Sequence, residues 1–239
     1  MSMRAFARMS YSPFSWGSVT NLDHAVRTGE AGICRLNPNG WSAYLDVNPA
    51  DREIFQEAMT AKANDDVAGL LDAYDFSRHH RIADIGGGRG HLISAILAAH
   101  PRTTGTLFEL PEVVPDVRAS DRLDVIAGDF FNGPLPQADA YLLMNIVHDW
   151  DDEHATAILA TVADAARRNT ATVLVLEVVM PDTADPHWAK TLDVMMLAIT
   201  GGRERTLSEY NALLAGAGID LVGVTPTATP FSIIEGNAR

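Results

Sequence analysis

The chain has 239 residues, 47% hydrophobic and 21% charged, with 31 acidic against 18 basic side chains and a formal net charge of −13. That size and composition suit one large α/β domain or two small ones around a sizeable core, and with no basic run longer than Arg167-Arg168 they exclude an electrostatic footprint for nucleic acid. A single cysteine, Cys34, excludes an internal disulfide; no apolar stretch approaches the ~20 residues a membrane helix needs, and the basic N-terminus is not followed by a signal-peptide apolar region, so a cytoplasmic protein without a membrane partner is expected.

Residues 1 to about 47 read as irregular, rich in Ser, Gly, Asn and aromatics, with weak helical signals only around Leu22 to Val26 and no core of their own. Asn48 as N-cap and Pro49 at the first helical position open one or two helices whose stripe includes Phe55, Met59, Val67, Leu70, Leu71 and Tyr74. From residue 80, short β-branched runs alternate with amphipathic helical runs, the pattern of βαβ units and a parallel sheet. Strands are expected at 81–85, 104–110, 123–127, 138–145 and 172–179, with helices at about 89–99, 111–119 and 152–168. The run "TVLVLEVV" is almost continuously apolar, as befits a strand covered on both faces near the centre of the sheet. A further helix over "PHWAKTLDVMMLAI" and another at 207–216 precede two strands that read as a hairpin at the sheet edge. The chain thus divides into an irregular or helical extension, 1–75, and an α/β domain, 76–239.

The stretch "ADIGGGRGHL" follows the first of these strands. Glycines between a strand and a helix let backbone approach a ligand, and the helix N-terminus favours an anionic group. Gly86, Gly88 and Gly90 follow G-x-G-x-G; the dinucleotide fingerprint would need glycine where His91 stands, and no G-K-[ST] follows for a phosphate loop. A ligand with a small anionic end, such as the carboxylate of a methionine moiety, remains, beside the plain alternative of a tight strand-to-helix turn. Glu109 ends the second strand, where an acidic side chain in a doubly wound sheet can take a ribose diol. Asp129 and Phe130 follow the third strand and could bracket an adenine; Asn145 and His148 follow the fourth. Such collection at carboxyl ends of strands is where open α/β sheets bind ligands.

With "DIGGGRGHL", "FELPEVV", "GDFFNGPLP", "NIVHDWDDE", "LVLEVVMP" and "GGRERTLSEYNALLAGAGI" in that order, residues 80 to 220 resemble the S-adenosylmethionine-dependent O-methyltransferases of the plant-type small-molecule family, which includes bacterial natural-product enzymes. The resemblance implies a class I methyltransferase, Rossmann-like doubly wound sheet of seven mostly parallel strands, the last antiparallel, with 76–239 as the cofactor-binding catalytic domain. It implies S-adenosylmethionine as cofactor: Asp84 and the glycine loop on the methionine part, Glu109 with Leu110 on the ribose, Asp129 with Phe130 around the adenine, and Asn145 near the same site. His148 of "HDW" would be the catalytic base, flanked by Glu177 and Glu204. Three departures stand out: Glu109 where the family usually has Asp, Met144 where it often has Lys, and an N-terminal winged-helix dimerisation domain essentially missing. "SWGSVTNLDHAVRTGE" resembles the segment just after that domain, so residues 1–75 are expected to be its remnant and linker, and any homodimer to be weakened.

Methyl transfer from a sulfonium is an in-line displacement, and holding both reactants in near-attack geometry can supply about 7–11 kcal/mol. A phenolic acceptor with pKa near ~10 is mostly neutral at cellular pH, so a base such as His148 with pKa near ~6.5 suits its deprotonation, typically worth about 10²- to 10⁴-fold. Glu177, in the very apolar fifth strand, needs a partner and could fix the imidazole tautomer beside His148. Glu204 could do so from another side; taken alone, a salt bridge to Arg203 or Arg205 accounts for it. Trp150, Met180, Met195 and Met196 are candidate substrate walls, although methionines and aromatics at helical spacing also read as core. His148 and His154 of "HDWDDEH" do not share one helical face, and the motifs resemble the metal-independent branch, so no metal is expected. The function this implies is methyl transfer to a hydroxyl of a small aromatic or polyketide-like molecule; the alternative is a cofactor-binding protein with lost or altered activity.

Overall fold

The computed structural model describes residues 4–239. The N-terminal stretch forms four short helices, α1 (Arg4–Ser10), α2 (Pro13–Thr20), α3 (Leu22–Thr28) and α4 (Gly40–Val47), followed by one long helix, α5 (Pro49–Ala73). Two of the short helices carry clear local signals. Ser12 Oγ accepts the Ser15 amide and Pro13 occupies the first turn of α2, while α3 stops at Gly29, whose φ of 79° suits only a residue without Cβ. This corrects the irregular reading of residues 1–47. Phe14, Ala31, Ile33 and Leu45 are buried together with Ile199, and Trp41, Tyr44, Phe55 and Met195 pack against them. The cluster closes because Ile199 and Met195 arrive on a helix far along the chain, which a local reading of composition cannot see.

The α/β part then runs β1 (Arg81–Ile85), α6 (His91–Ala99), β2 (Thr104–Glu109), β3 (Leu123–Ala127), β4 (Ala140–Met144), α7 (Asp152–Asn169), β5 (Thr172–Met180), α8 (Trp188–Ile199), a two-residue strand β6 (Arg205–Thr206), α9 (Leu207–Gly216), β7 (Ile219–Pro226) and β8 (Phe231–Ala238). The helix expected at 111–119 is only a single 3₁₀ turn, Val114–Asp116. Pro115 lacks an N–H and its ring clashes with a preceding helical turn, so the pattern of apolar residues there could not propagate.

Two compact units result. One comprises the chain up to Asp65 with His148–Asp151 and Met180–Thr206; the other comprises Asp66–Val147, Asp152–Val179 and Leu207–Arg239. Within the second, seven strands lie in the order β3-β2-β1-β4-β5-β8-β7. Those from β3 to β5 pair in parallel, and β8 runs antiparallel to both β5 and β7. This is the expected doubly wound sheet with its last strand reversed. Central strands read as continuous apolar runs because both faces are covered: Ala140, Tyr141, Leu142 and Leu143 of β4 and Val173 to Leu176 of β5 are all buried. The strand order reverses between β1 and β4, and in such sheets ligands bind outside the carboxyl ends of the strands at that point.

Candidate functional site

In the sheet unit, β1 delivers the glycine loop to the N-terminus of α6. Gly86, Gly88 and Gly90 all have positive φ, at 67°, 57° and 72°, so the turn is built on glycine geometry. A Cβ at Gly86 would lie 2.6 Å from Ile146 Cδ1 and 3.4 Å from Phe130 Cε1, whereas one at Gly88 would meet nothing within 4 Å. The loop therefore presents open backbone at Gly88, beside Glu109. Glu109 Oε2 accepts the Gly88 amide at 2.9 Å and Oε1 accepts the Leu110 amide at 2.7 Å, which ties the end of β2 to the loop. Leu110 itself is exposed. Beneath Gly87, the Asp84 side chain is buried, and among the described residues neither of its oxygens receives a hydrogen bond of ordinary geometry. Burial pushes its carboxyl up to about 7; the nearby Ile93 amide opposes this and the Glu109 charge adds to it. Asp129 turns inward on its own loop, with Oδ1 accepting the Phe131 amide and Oδ2 the Asn132 side chain, and Phe130 lies edge-on to Phe131 at 5.1 Å.

After β4 the chain turns sharply. Asn145 has a φ of 54°, a left-handed conformation uncommon outside glycine. The next two amides, of Ile146 and Val147, both donate to one oxygen, Glu177 Oε1, at 3.0 and 2.9 Å. Glu177 on β5 is fully buried, and a buried carboxylate offsets its desolvation through such amide donors. It holds the main chain of the turn through these two amides.

In the other unit, the next residue, His148, is 8% exposed, and its Nδ1 lies 2.7 Å from Oε1 of Glu204, which is itself fully buried. With that carboxylate ionised, the ring proton sits on Nδ1 and the basic lone pair on Nε2. Glu204 is thus paired with the His148 ring. Asp149 Oδ1 stands 3.7 Å from Nε2; burial pushes its carboxyl up, the His148 ring opposes this, and the Glu204 charge adds to the rise. The segment carrying Glu204 is pressed onto the His148 turn. The Arg203 amide donates to His148 O at 2.9 Å, and the buried Arg205 guanidinium donates through Nη2 to Trp150 O at 2.9 Å. A Cβ at Gly202 would lie 2.7 Å from Trp150 N and nearer still to His148 O. The Glu204 amide donates to Asp193 Oδ1 at 2.9 Å. Of the proposed substrate walls, Trp150, Met180 and Met196 are half-buried, and Met195 packs on the Phe14 cluster. Among the described residues no three His, Cys, Asp or Glu side chains are grouped to hold a metal ion, and no helix is long and apolar enough to cross a membrane.

The sequence matches a known family: residues 20–220 fit the model of the O-methyltransferase domain. The chain belongs to that O-methyltransferase family. Phenazine O-methyltransferase PhzM of Lysobacter antibioticus is 34% identical over 92% of this chain and 66% of its own length. The mitomycin biosynthesis 6-O-methyltransferase of Streptomyces lavendulae is 35% identical over 96% of this chain and 67% of its own. The chain thus spans about two thirds of the length of these curated relatives. Among solved structures, LaPhzM superposes with a TM-score of 0.90 at 33% identity, covering 100% of this chain and 73% of that one. NcsB1, from neocarzinostatin biosynthesis, in complex with S-adenosylmethionine and 2-hydroxy-5-methyl naphthoic acid, superposes with a TM-score of 0.86 at 30% identity, covering 98% and 74%.

Within this O-methyltransferase domain the structure brings Gly86, Phe130 and Ile146 to one spot and Gly88 to Glu109 and Leu110, and it joins His148 to Glu204. Ile146, Gly202 and Asp193 escape a reading of the sequence. Ile146 resembles any apolar residue after a strand, Gly202 any helix-ending glycine, and Asp193 the polar face of an amphipathic helix.

Proposed function

We propose that this chain transfers a methyl group from S-adenosylmethionine to a hydroxyl of a small aromatic or polyketide-like molecule, with His148 as general base. The observation that carries the reading is the buried His148–Glu204 pair, a base with a built-in orienter, in a chain whose family consists of methyl-transfer domains. The residues fit the cofactor. Open backbone at Gly88 and the N-terminus of α6 suit the anionic methionine end, the Glu109 carboxylate suits a ribose diol, and Phe130 beside Gly86 suits an adenine face. Residues 76–239 serve as the cofactor-binding catalytic domain, and 1–75 as an extension.

S-adenosylmethionine, when bound, supplies an electrophilic methyl group. Glu204 keeps the imidazole proton on Nδ1, so that Nε2 can take the acceptor's hydroxyl proton as its oxygen becomes nucleophilic. The imidazolium so formed is stabilised by the Glu204 carboxylate, and Asp149 Oδ1 stands beside Nε2. Glu177, by holding the Ile146 and Val147 amides, fixes the turn from which His148 follows.

The test is a radiolabelled-methyl assay with 1,4-dihydroxy-2-naphthoic acid, the ligand of NcsB1 in a second complex, and a panel of phenols, with S-adenosylhomocysteine calorimetry in parallel. Transfer that falls by about 10²-fold or more in His148→Ala, with S-adenosylhomocysteine affinity retained, supports the assignment. Binding without transfer in the unaltered chain favours a cofactor-binding protein that does not methylate; transfer unchanged in His148→Ala removes the base.

A further inference from the structure

We propose that Asp193 is a positioning residue for the His148–Glu204 pair; the proposal rests on the reading of His148 as the base. Asp193 lies on α8, eleven residues before Glu204 in the chain, and its Oδ1 accepts the Glu204 amide at 2.9 Å. Glu204 is fully buried, with Oε1 on His148 Nδ1 and its other oxygen without a hydrogen bond among the described residues. Its carboxylate therefore has a single strong partner, and its placement depends on where its backbone is held. The contacts that press the loop onto the His148 turn, from the Arg203 amide, the Arg205 guanidinium and the closely packed Gly202, all address main-chain atoms of residues 148–150. They set the distance between loop and turn. Asp193 adds the bond from the loop to α8, so the Glu204 amide is held by a helix rather than only by the turn it serves. Loss of that acceptor leaves a buried N–H without its partner and lets the loop shift. A displacement of about 1 Å in a catalytic constellation costs on the order of 10²-fold in rate.

Two substitutions separate an acceptor role from a charge or a packing role. Asp193→Asn retains a carbonyl Oδ1 that can accept the Glu204 amide, and Asp193→Ala does not. Methyl transfer to 1,4-dihydroxy-2-naphthoic acid is measured for both, alongside ¹⁵N NMR of the His148 ring. The alanine variant is expected to lose about 10- to 10²-fold in kcat with the KM for S-adenosylmethionine within about twofold, and its His148 nitrogens move toward a mixed-tautomer signature. The asparagine variant keeps most of the rate and the Nδ1–H signature. Asp193→Ser, whose hydroxyl is too short to reach the amide, takes the place of alanine if that variant does not fold, and the same outcomes apply. A wild-type rate and an unchanged ring signature without the acceptor overturn the proposal, as does an asparagine variant as impaired as alanine. The NMR arm needs no turnover: tautomer loss in Asp193→Ala supports the positioning role even if the unaltered chain methylates nothing, which would overturn the function and not this inference.

Discussion

Replacing Asp84 by Asn should change how the stability of the ligand-free protein depends on pH. Asp84 is buried beneath the glycine loop, and its carboxyl is pushed up from the ordinary 3.8 to about 7, chiefly by burial. Between those values the folded state keeps a proton that the unfolded chain has released, so folding stability falls as pH rises. At 1.36 kcal/mol for each pH unit separating the folded and unfolded pKa values, the full cost of ionising Asp84 in the fold is about 4 kcal/mol, fully present above pH 7 and absent below about 4. Urea unfolding of the wild type and Asp84→Asn from pH 5 to pH 8 isolates this group, because every other titration is common to both proteins. The wild type should lose on the order of 2–3 kcal/mol more than the variant across that window, most of it before pH 7. Parallel stability curves would refute the claim that this carboxyl is carried in the fold against its preferred charge.

Glu177→Gln keeps a carbonyl oxygen for the Ile146 and Val147 amides and should melt within a few degrees of wild type, whereas Glu177→Ala removes this acceptor from both amides at about 1–3 kcal/mol each, read by thermal denaturation. Gly202→Ala places a Cβ against the backbone of the His148 turn and should lower methyl transfer on the order of 10²-fold, as measured by labelled-methyl turnover, while S-adenosylhomocysteine affinity by calorimetry stays unchanged. Phe14→Ala should cost about 3–5 kcal/mol in chemical denaturation, because Phe14 lies at the centre of the N-terminal cluster. Loss of less than about 1 kcal/mol there would mean that residues 4–47 pack no real core.

The α/β sheet was legible because each strand carries its own signature: "TVLVLEVV" cannot be solvent-facing, and the glycine loop after "RIADI" marks a strand-to-helix turn. Of the N-terminal helices, α3 and α5 left a signal around Leu22 to Val26 and at Asn48-Pro49, but the packing of this stretch was not legible, since its apolar side chains are completed by Ile199 and Met195 from α8 and no local window contains both halves. At the site, residue types were readable and partners were not. Glu177 in an apolar strand announces a buried charge in need of donors, but the donors are main-chain amides, which leave no trace in residue identity. Glu204 beside two arginines left two readings open, an ion pair with them or a place beside His148, and the fold puts it on His148. Asp193 acts on a backbone amide too, and is invisible for the same reason.

The grip on the turn around His148 is directed at peptide groups: one Glu177 oxygen on the amides of Ile146 and Val147, and the 202–205 loop on the carbonyls of His148 and Trp150. Every residue type but proline offers the same amide, so these hydrogen bonds do not depend on which side chains stand at 146 and 147, although Val147 is buried and Ile146 packs close to Gly86. A library randomised at Trp150, with Glu177, Gly202 and Glu204 left alone, varies a side chain whose main-chain carbonyl carries the grip and leaves that grip in place.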